Sequence, residues 1–345
     1  MTVDTLNPPF ILPPDREASG PPEARGLARD EVRLLVSDRG ALTHSRFREL
    51  PGFLHAGDLL VVNDSATLSA AVDARIDAKA VVLHFSTWLD NGLWVVEVRS
   101  TDGRVADWST LECGLTVRLP DGVTARLIEP WLPTGSRLWT ARIEGADSVI
   151  RWLHSRGRPI TYAYVRERWS AEHYETVFGR RLGSAEMPSA GRPFTDRMVT
   201  NLVTSGIAVA PITLHTGVSS PEVGEPPSPE RFAVSATTAR LVAATRAAGG
   251  RVVAVGTTVT RALETVAARD GRIRPGSGWT ELVLSAERPT RVVDGLVTGW
   301  HAPGASHLGL LESVVGARAV RDAYDSALAT GYLWHEFGDS ALLLR

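Results

Sequence analysis

The spacing of apolar and polar positions changes character twice along the chain. Glu31 to Val36 and Leu59 to Asn63, the latter preceded by Gly57-Asp58, are short apolar runs bounded by turn residues and predict buried strands. Six β-rich runs follow, at Ala71 to Ile76, Ala80 to Ser86, Leu93 to Arg99, Leu115 to Leu119, Val123 to Ile128 and Arg137 to Ile143. Turn signals at Asp90-Asn91-Gly92, Asp102-Gly103, Pro120-Asp121-Gly122 and Pro133-Thr134-Gly135 separate them. That spacing predicts a small antiparallel β-barrel inserted into the chain.

Beyond it the period becomes helical. Asp147 is placed to cap a helix that stops at Gly157, Thr195 caps Phe194 to Ser205, and Ser235 to Ala248 ends at Gly249-Gly250. These alternate with strands Ile207 to His215 and Arg251 to Val255, helix Val259 to Ala268, strands Glu281 to Leu284 and Val292 to Val297, and two C-terminal helices. The alternation predicts an α/β domain with helices on the faces of its sheet. The prolines between Pro8 and Pro22 predict an extended arm, and the Pro- and Gly-rich stretch from Gly217 to Pro229 a functional loop.

Composition narrows the function. With 345 residues, 43% of them hydrophobic and 22% charged, the chain is globular and long enough for two domains. The single cysteine, Cys113, excludes an internal disulfide and a cysteine-based zinc site. Without an apolar run of about 18 residues or a basic leader before one, the expected location is the cytoplasm, with no membrane partner. A net charge of -2 makes no global case for nucleic acid, although Lys79 is the single lysine among 37 basic residues and arginine is the better fork for phosphate or carboxylate. A GC-rich genome accounts for the same bias.

The sharpest local feature is the strand Arg251 to Val255 running into Gly256-Thr257-Thr258 at a helix start, with Arg261 and Glu264 on that helix. Free amides at such a junction suit a carboxylate or phosphate, although a threonine cap explains the hydroxyls more simply. His215 and His301 each close a predicted strand, where an acid/base residue would sit at the ligand-binding edge. The loop Pro188-Ser189-Ala190-Gly191 combines small residues that admit a ligand close to backbone. No paired histidine spacing supports a catalytic metal.

Taken in order, these segments resemble the S-adenosylmethionine:tRNA ribosyltransferase-isomerase family of queuosine biosynthesis. The resemblance rests on His44-Ser45-Arg46-Phe47, Leu59 to Asn63, Tyr174 to Phe178, Pro188 to Gly191, Thr213 to Gly217, Val253 to Thr258 with Arg261 and Glu264, Val292 to Thr298, His301 with Pro303, Tyr324, and Phe337-Gly338-Asp339. It implies a mixed-sheet α/β domain over residues 1–69 and 146–345, interrupted by the barrel at 70–145. It further implies that S-adenosylmethionine is a ribosyl donor, with no metal. The sulfonium acidifies the neighbouring ribose carbon, a base removes that proton, ring opening expels adenine, and the amine of 7-aminomethyl-7-deazaguanine in tRNA captures the unit. Epoxyqueuosine and methionine result. By position, His215 and then His301 become acid/base candidates, and Asn63, Ser189, Ala190, Gly191, Gly256, Thr257, Thr258 and Arg261 donor-binding candidates.

The chain departs from the family pattern at Asn63-Asp64-Ser65-Ala66 (Asn-Asn-Thr-Arg in the family), at Arg192-Pro193 after Pro188 to Gly191 (Leu-His), at Val218-Ser219-Ser220 and at Gly299-Trp300. Those changes leave two alternatives open. One is a diverged enzyme that processes S-adenosylmethionine alone or with a small amine acceptor; the other is a silent homologue that binds the donor or tRNA.

Overall fold

The computed structural model describes residues 10–101, 111–132, 135–165, 167–218 and 227–345. The turns at Asp102-Gly103 and Pro133-Thr134, the first nine residues and most of the loop after Val218 lie outside them. Before the barrel run β1 (Arg33–Asp38), β2 (Ala41–Arg46), β3 (Leu59–Asn63) and β4 (Ser65–Thr67). The barrel comprises β5 (Ala71–Ile76), β6 (Lys79–Trp88), β7 (Trp94–Arg99), β8 (Thr116–Arg118), β9 (Thr124–Leu132) and β10 (Gly135–Glu144). After it come α1 (Val149–Arg156), β11 (Arg181–Ser184), α2 (Asp196–Thr204), β12 (Ala208–His215), β13 (Glu230–Val234), α3 (Ala236–Ala247), β14 (Val252–Val255) and α4 (Thr257–Val266). The chain ends with β15 (Gly276–Thr280), β16 (Gly295–Gly299), α5 (His307–Val315), α6 (Ala317–Thr330) and β17 (Ser340–Leu344).

Among the described residues nine strands form one mixed sheet in the order β15-β13-β12-β3-β14-β16-β17-β1-β2. Its centre, β12, β3, β14 and β16, is parallel, which requires cover on both faces and explains the unbroken burial of Leu59 to Asn63 and of Val252 to Val255. β5 to β10 close into the expected barrel. Val72 and Ala74, Val81, Leu83 and Phe85, then Trp94, Val96 and Val98 alternate into its core, with Trp139 beside them. Core packing therefore accounts for Trp94 and Trp139; Trp108 lies outside the described residues.

Several boundaries differ from the sequence pattern, for identifiable reasons. Ser148, not Asp147, caps α1, accepting from the Arg151 amide. The N-terminal arm is not simply extended but folds into short 3-10 turns at Pro14–Arg16, Pro22–Arg25 and Arg29–Glu31, the last of which delays β1 to Arg33. Glu281 to Leu284 makes no strand. Arg261 Nε donates to the Leu282 carbonyl at 3.1 Å, taking up a backbone group that a ladder would use. The ladder is instead made by Gly276–Thr280. Likewise Val292 and Val293 donate their amides to Glu264 Oε1 at 2.8 and 3.1 Å, so β16 begins only at Gly295.

The chain enters and leaves the barrel side by side, where Ala71 and Arg158 exchange backbone hydrogen bonds of 2.9 Å. Gly157 makes that crossing possible: a Cβ there would stand 1.9 Å from the Ser69 carbonyl oxygen. Gly157→Ala is expected to destabilise the protein by about 1–3 kcal/mol through forced backbone movement. Urea unfolding measures this, and an unchanged midpoint would show that the junction yields freely.

Candidate active site

A cavity of about 540 Å³ opens at the C-terminal edge of the parallel strands, the position where open α/β sheets bind ligands. Its size falls within the range of roughly 300–1,000 Å³ typical of small-molecule sites. Gly256, Thr257 and Thr258 line it from the end of β14, Thr216 to Val218 from β12, and Thr298 to Pro303 from β16. Ser189 and Ala190 come from a 3-10 turn, Tyr162 and Tyr164 from the segment after α1, Glu17 from the N-terminal arm, and His335 and Glu336 from the approach to β17. Of the loop from Gly217 to Pro229, residues Gly217, Val218, Pro227 and Ser228 line the cavity, and residues 219–226 lie outside the described residues.

Gly256 adopts φ 94° at the start of α4, and no side chain caps that helix. The threonine cap, the simpler expectation, is not made. The helix start, lined by Gly256, Thr257 and Thr258, therefore meets the cavity carrying the partial positive charge of an uncapped N-terminus. Arg261 lines the same wall, but its donors are committed to Leu282, Thr280, the Ser228 carbonyl at 3.2 Å and the Glu230 carboxylate. It fixes the wall rather than offering a loose guanidinium. Glu264, one turn on, holds the amides before β16.

His301 reaches the cavity and His215 does not. His215 is buried beneath β11, where its Nδ1 bonds Ser65 Oγ at 2.8 Å, its ring packs on Trp88, and a Cβ on Gly183 would lie 2.4 Å from that nitrogen. Burial, then the charges of Arg231 and Arg181, push its pKa down to about 4. Asn63 also stands behind the lining, bridging β3 to β12: its side chain donates to the Leu214 carbonyl at 2.8 Å and accepts from the Leu214 amide at 2.9 Å. Gly191 packs against Thr176 beneath the lining. His215, Asn63 and Gly191 thus stand outside the lining of this cavity.

His301 Nε2 lies 3.0 Å from Thr298 Oγ1, whose own hydrogen points to the Gly299 carbonyl at 3.1 Å. Thr298 thus anchors the ring through Nε2. The His307 ring stacks on it at 4.5 Å and 2°. Enclosure, then the neighbouring His307 and His335, push the His301 pKa well below its ordinary value, so the ring is neutral at physiological pH.

The departures from the family pattern divide between the lining and the layer behind it. Asp64 accepts from Thr213 Oγ1 at 2.6 Å and pairs with Arg181 at 3.2 Å, tying β4 to β11 and β12. Arg192 is 2% exposed and spans Glu23 at 2.8 Å and the His173 carbonyl at 2.9 Å. Neither lines the cavity, whereas Val218, Gly299 and Trp300 do.

Tyr162, Tyr164, Glu186, His307, His335 and Glu336 were not legible as site residues. Tyr162 and Tyr164 are brought together by a turn that the Val165 amide closes on the Tyr162 carbonyl at 2.9 Å. Among the described residues no group of three or more His, Cys, Asp or Glu could hold a metal ion, and no helix is long and apolar enough to cross a membrane.

The chain matches the family model described as queuosine biosynthesis protein over residues 7–343. It is 34% identical to the S-adenosylmethionine:tRNA ribosyltransferase-isomerase of Synechococcus elongatus, covering 97% of this chain and 94% of that one. It is 35% identical to the protein of the same name from Moorella thermoacetica, covering 97% and 98%. The crystal structure of S-adenosylmethionine tRNA ribosyltransferase from Thermotoga maritima aligns with a TM-score of 0.55 at 27% identity, over 97% of this chain and 99% of that one.

Proposed function

Because this chain belongs to the S-adenosylmethionine:tRNA ribosyltransferase-isomerase family of queuosine biosynthesis, we propose that its sheet-edge cavity binds S-adenosylmethionine and transfers its ribosyl unit to 7-aminomethyl-7-deazaguanine in tRNA. One observation carries this reading. Gly256 to Thr258, Ser189 and Ala190, and His301 converge on one cavity, while the altered Asp64 and Arg192 lie outside its lining.

In this reading the uncapped start of α4 takes the methionine carboxylate, because oriented amides and the helix dipole favour an anion there. Ser189 and Ala190 let the donor approach backbone closely. The acid/base role falls to His301, which accepts the proton from the ribose carbon beside the sulfonium. The electron pair left behind forms a double bond as the adjacent ribose carbon–oxygen bond breaks. The freed ring oxygen becomes a carbonyl as the glycosidic bond breaks, and adenine leaves with a proton returned from His301. The acceptor amine then bonds to the rearranged unit and methionine departs. Enclosure of the cavity keeps water from the intermediate. His215 positions β11 behind the site.

Incubation with S-adenosylmethionine, with and without tRNA bearing the aminomethyl base, tests the reading by following adenine and methionine. Adenine release that requires the tRNA is the expected result. Release without tRNA would replace it with a diverged donor-processing enzyme, and binding without release with a silent homologue.

A further inference from the structure

Three neighbouring strands of the sheet, β14, β16 and β17, deliver cavity residues in a row. Gly256 to Thr258 follow β14, and the Gly256 amide donates to the Val297 carbonyl of β16 at 2.8 Å. His301 follows β16. β17 runs antiparallel to β16 and pairs Ser340 with Gly299, so the approach to β17 brings His335 to the same sheet edge. The two histidine segments are joined directly. The His335 amide donates to the Trp300 carbonyl at 3.4 Å, and Trp334 Nε1 donates to the His301 carbonyl at 2.9 Å. With strands about 4.8 Å apart, the row from β14 to β17 spans roughly 10 Å.

The last residue of this row is held flat against a second ring. His335 stacks on Tyr164, another lining residue, at 4.2 Å and 13°, and its Nε2 lies 3.2 Å from Glu17 Oε1. Its side chain nevertheless keeps 18% of its surface exposed. Its backbone stands at φ 71°, a left-handed conformation that residues other than glycine rarely adopt and that recurs where a protein clamps a ligand. A tight turn imposes it. The Gly338 amide donates to the His335 carbonyl at 3.0 Å, and a Cβ on Gly338 would stand 2.4 Å from the Leu333 carbonyl oxygen. Parallel aromatic faces in a cavity hold a planar base by stacking, whatever polar groups its edge presents.

We propose that Tyr164 and His335 form the stacking platform for the adenine of S-adenosylmethionine. The proposal rests on the reading of the cavity as the donor site, with the methionine carboxylate at the start of α4 and the reacting ribose at His301. The groups of the donor follow one another as carboxylate, sulfonium, ribose and base. With the carboxylate beside β14 and the ribose beside β16, the base falls at the approach to β17, where the two rings stand. Stacked there, the adenine leaves from beside His301, the residue that returns its proton. The deazaguanine of the acceptor is planar too, but the order of the row places the donor's base here.

Calorimetry with S-adenosylmethionine and with 5′-methylthioadenosine, which keeps the base and ribose and lacks the amino acid, tests the platform. The variants are Tyr164→Leu, Tyr164→Phe and His335→Asn, the last because asparagine tolerates a left-handed backbone. Thermal melts confirm that each folds, and either Tyr164→Leu or His335→Asn alone suffices. Each of these two is expected to weaken both nucleosides by the same factor, about tenfold, and Tyr164→Phe, which keeps the face and loses the hydroxyl, by less than about threefold. Unchanged affinity for both nucleosides in the folded variants overturns the proposal. So does a loss in Tyr164→Phe equal to that in Tyr164→Leu, which assigns binding to the hydroxyl. Weakened binding confined to an anticodon stem-loop carrying the aminomethyl base overturns it in favour of the acceptor. A wild type that binds neither nucleoside rejects the donor site itself.

Discussion

Replacing His301 by alanine is expected to slow adenine release by about 10²- to 10⁴-fold, the range of a lost general base, while the Kd for S-adenosylmethionine changes by less than about threefold. The ring is held for this role from three directions. Its amide donates to the Tyr324 hydroxyl at 3.2 Å, its carbonyl accepts from Trp334 Nε1 at 2.9 Å, and Thr298 receives Nε2. Trp300, Tyr324 and Trp334 pack edge-on or tilted against one another, so the segment behind His301 is core rather than flexible loop. Neutral at physiological pH, the ring needs no prior deprotonation to accept a proton. His215→Ala is expected to cost less than about tenfold in rate, because that ring touches Ser65, Gly183 and Trp88 and not the cavity. Single-turnover adenine release with parallel calorimetry separates the two. An equal loss in His215→Ala at unchanged melting temperature would reverse the assignment.

The largest loss of stability is expected from Glu97→Ala, about 3–5 kcal/mol by urea unfolding, the cost of breaking a buried ion pair. Glu97 is 0% exposed on β7. Its carboxylate accepts from Arg99 Nε and Arg137 Nη1, each at 2.8 Å, with His84 Nδ1 3.4 Å away. Burial alone would raise this carboxyl, but His84, Arg99 and Arg137 together outweigh it and hold its pKa at about 2. The folded value lies below the unfolded one of 4.5. The stabilisation is therefore complete above about pH 4.5 and disappears as the pH falls toward about 2, on the order of 3 kcal/mol in all. Glu97→Gln should flatten that acid limb. An acid limb identical to the wild type's, or an alanine variant as stable as the wild type, would show that Glu97 does not carry it.

Why the barrel could be read and the site only in part follows from the range of the interactions involved. Asp90-Asn91-Gly92 and Pro120-Asp121-Gly122 close on their own neighbours, Gly92 donating to the Leu89 carbonyl and Val123 to that of Pro120, so nearby residues suffice to place those hairpins. Gly276–Thr280 offers no such signal. It is glycine-rich, and it becomes an edge strand only because β13 provides a ladder, with Arg261 occupying the Leu282 carbonyl just after it.

The same distinction divides the two histidines. Both follow a strand of the central sheet, and nothing nearby in sequence states that β4 and β11 cover one and leave the other open. Glu17, Tyr164 and Glu336 come from three distant segments, and no periodicity links them. The sequence by itself determined the α/β alternation, the barrel, the glycine turn into α4 and the kinship that these segments carry, because each depends on neighbours a few residues apart. Only the tertiary structure decided that His301 faces the cavity, that Asp64 and Arg192 do not, and that carboxylates and tyrosines share one wall, because those facts depend on which surfaces the packed layers cover.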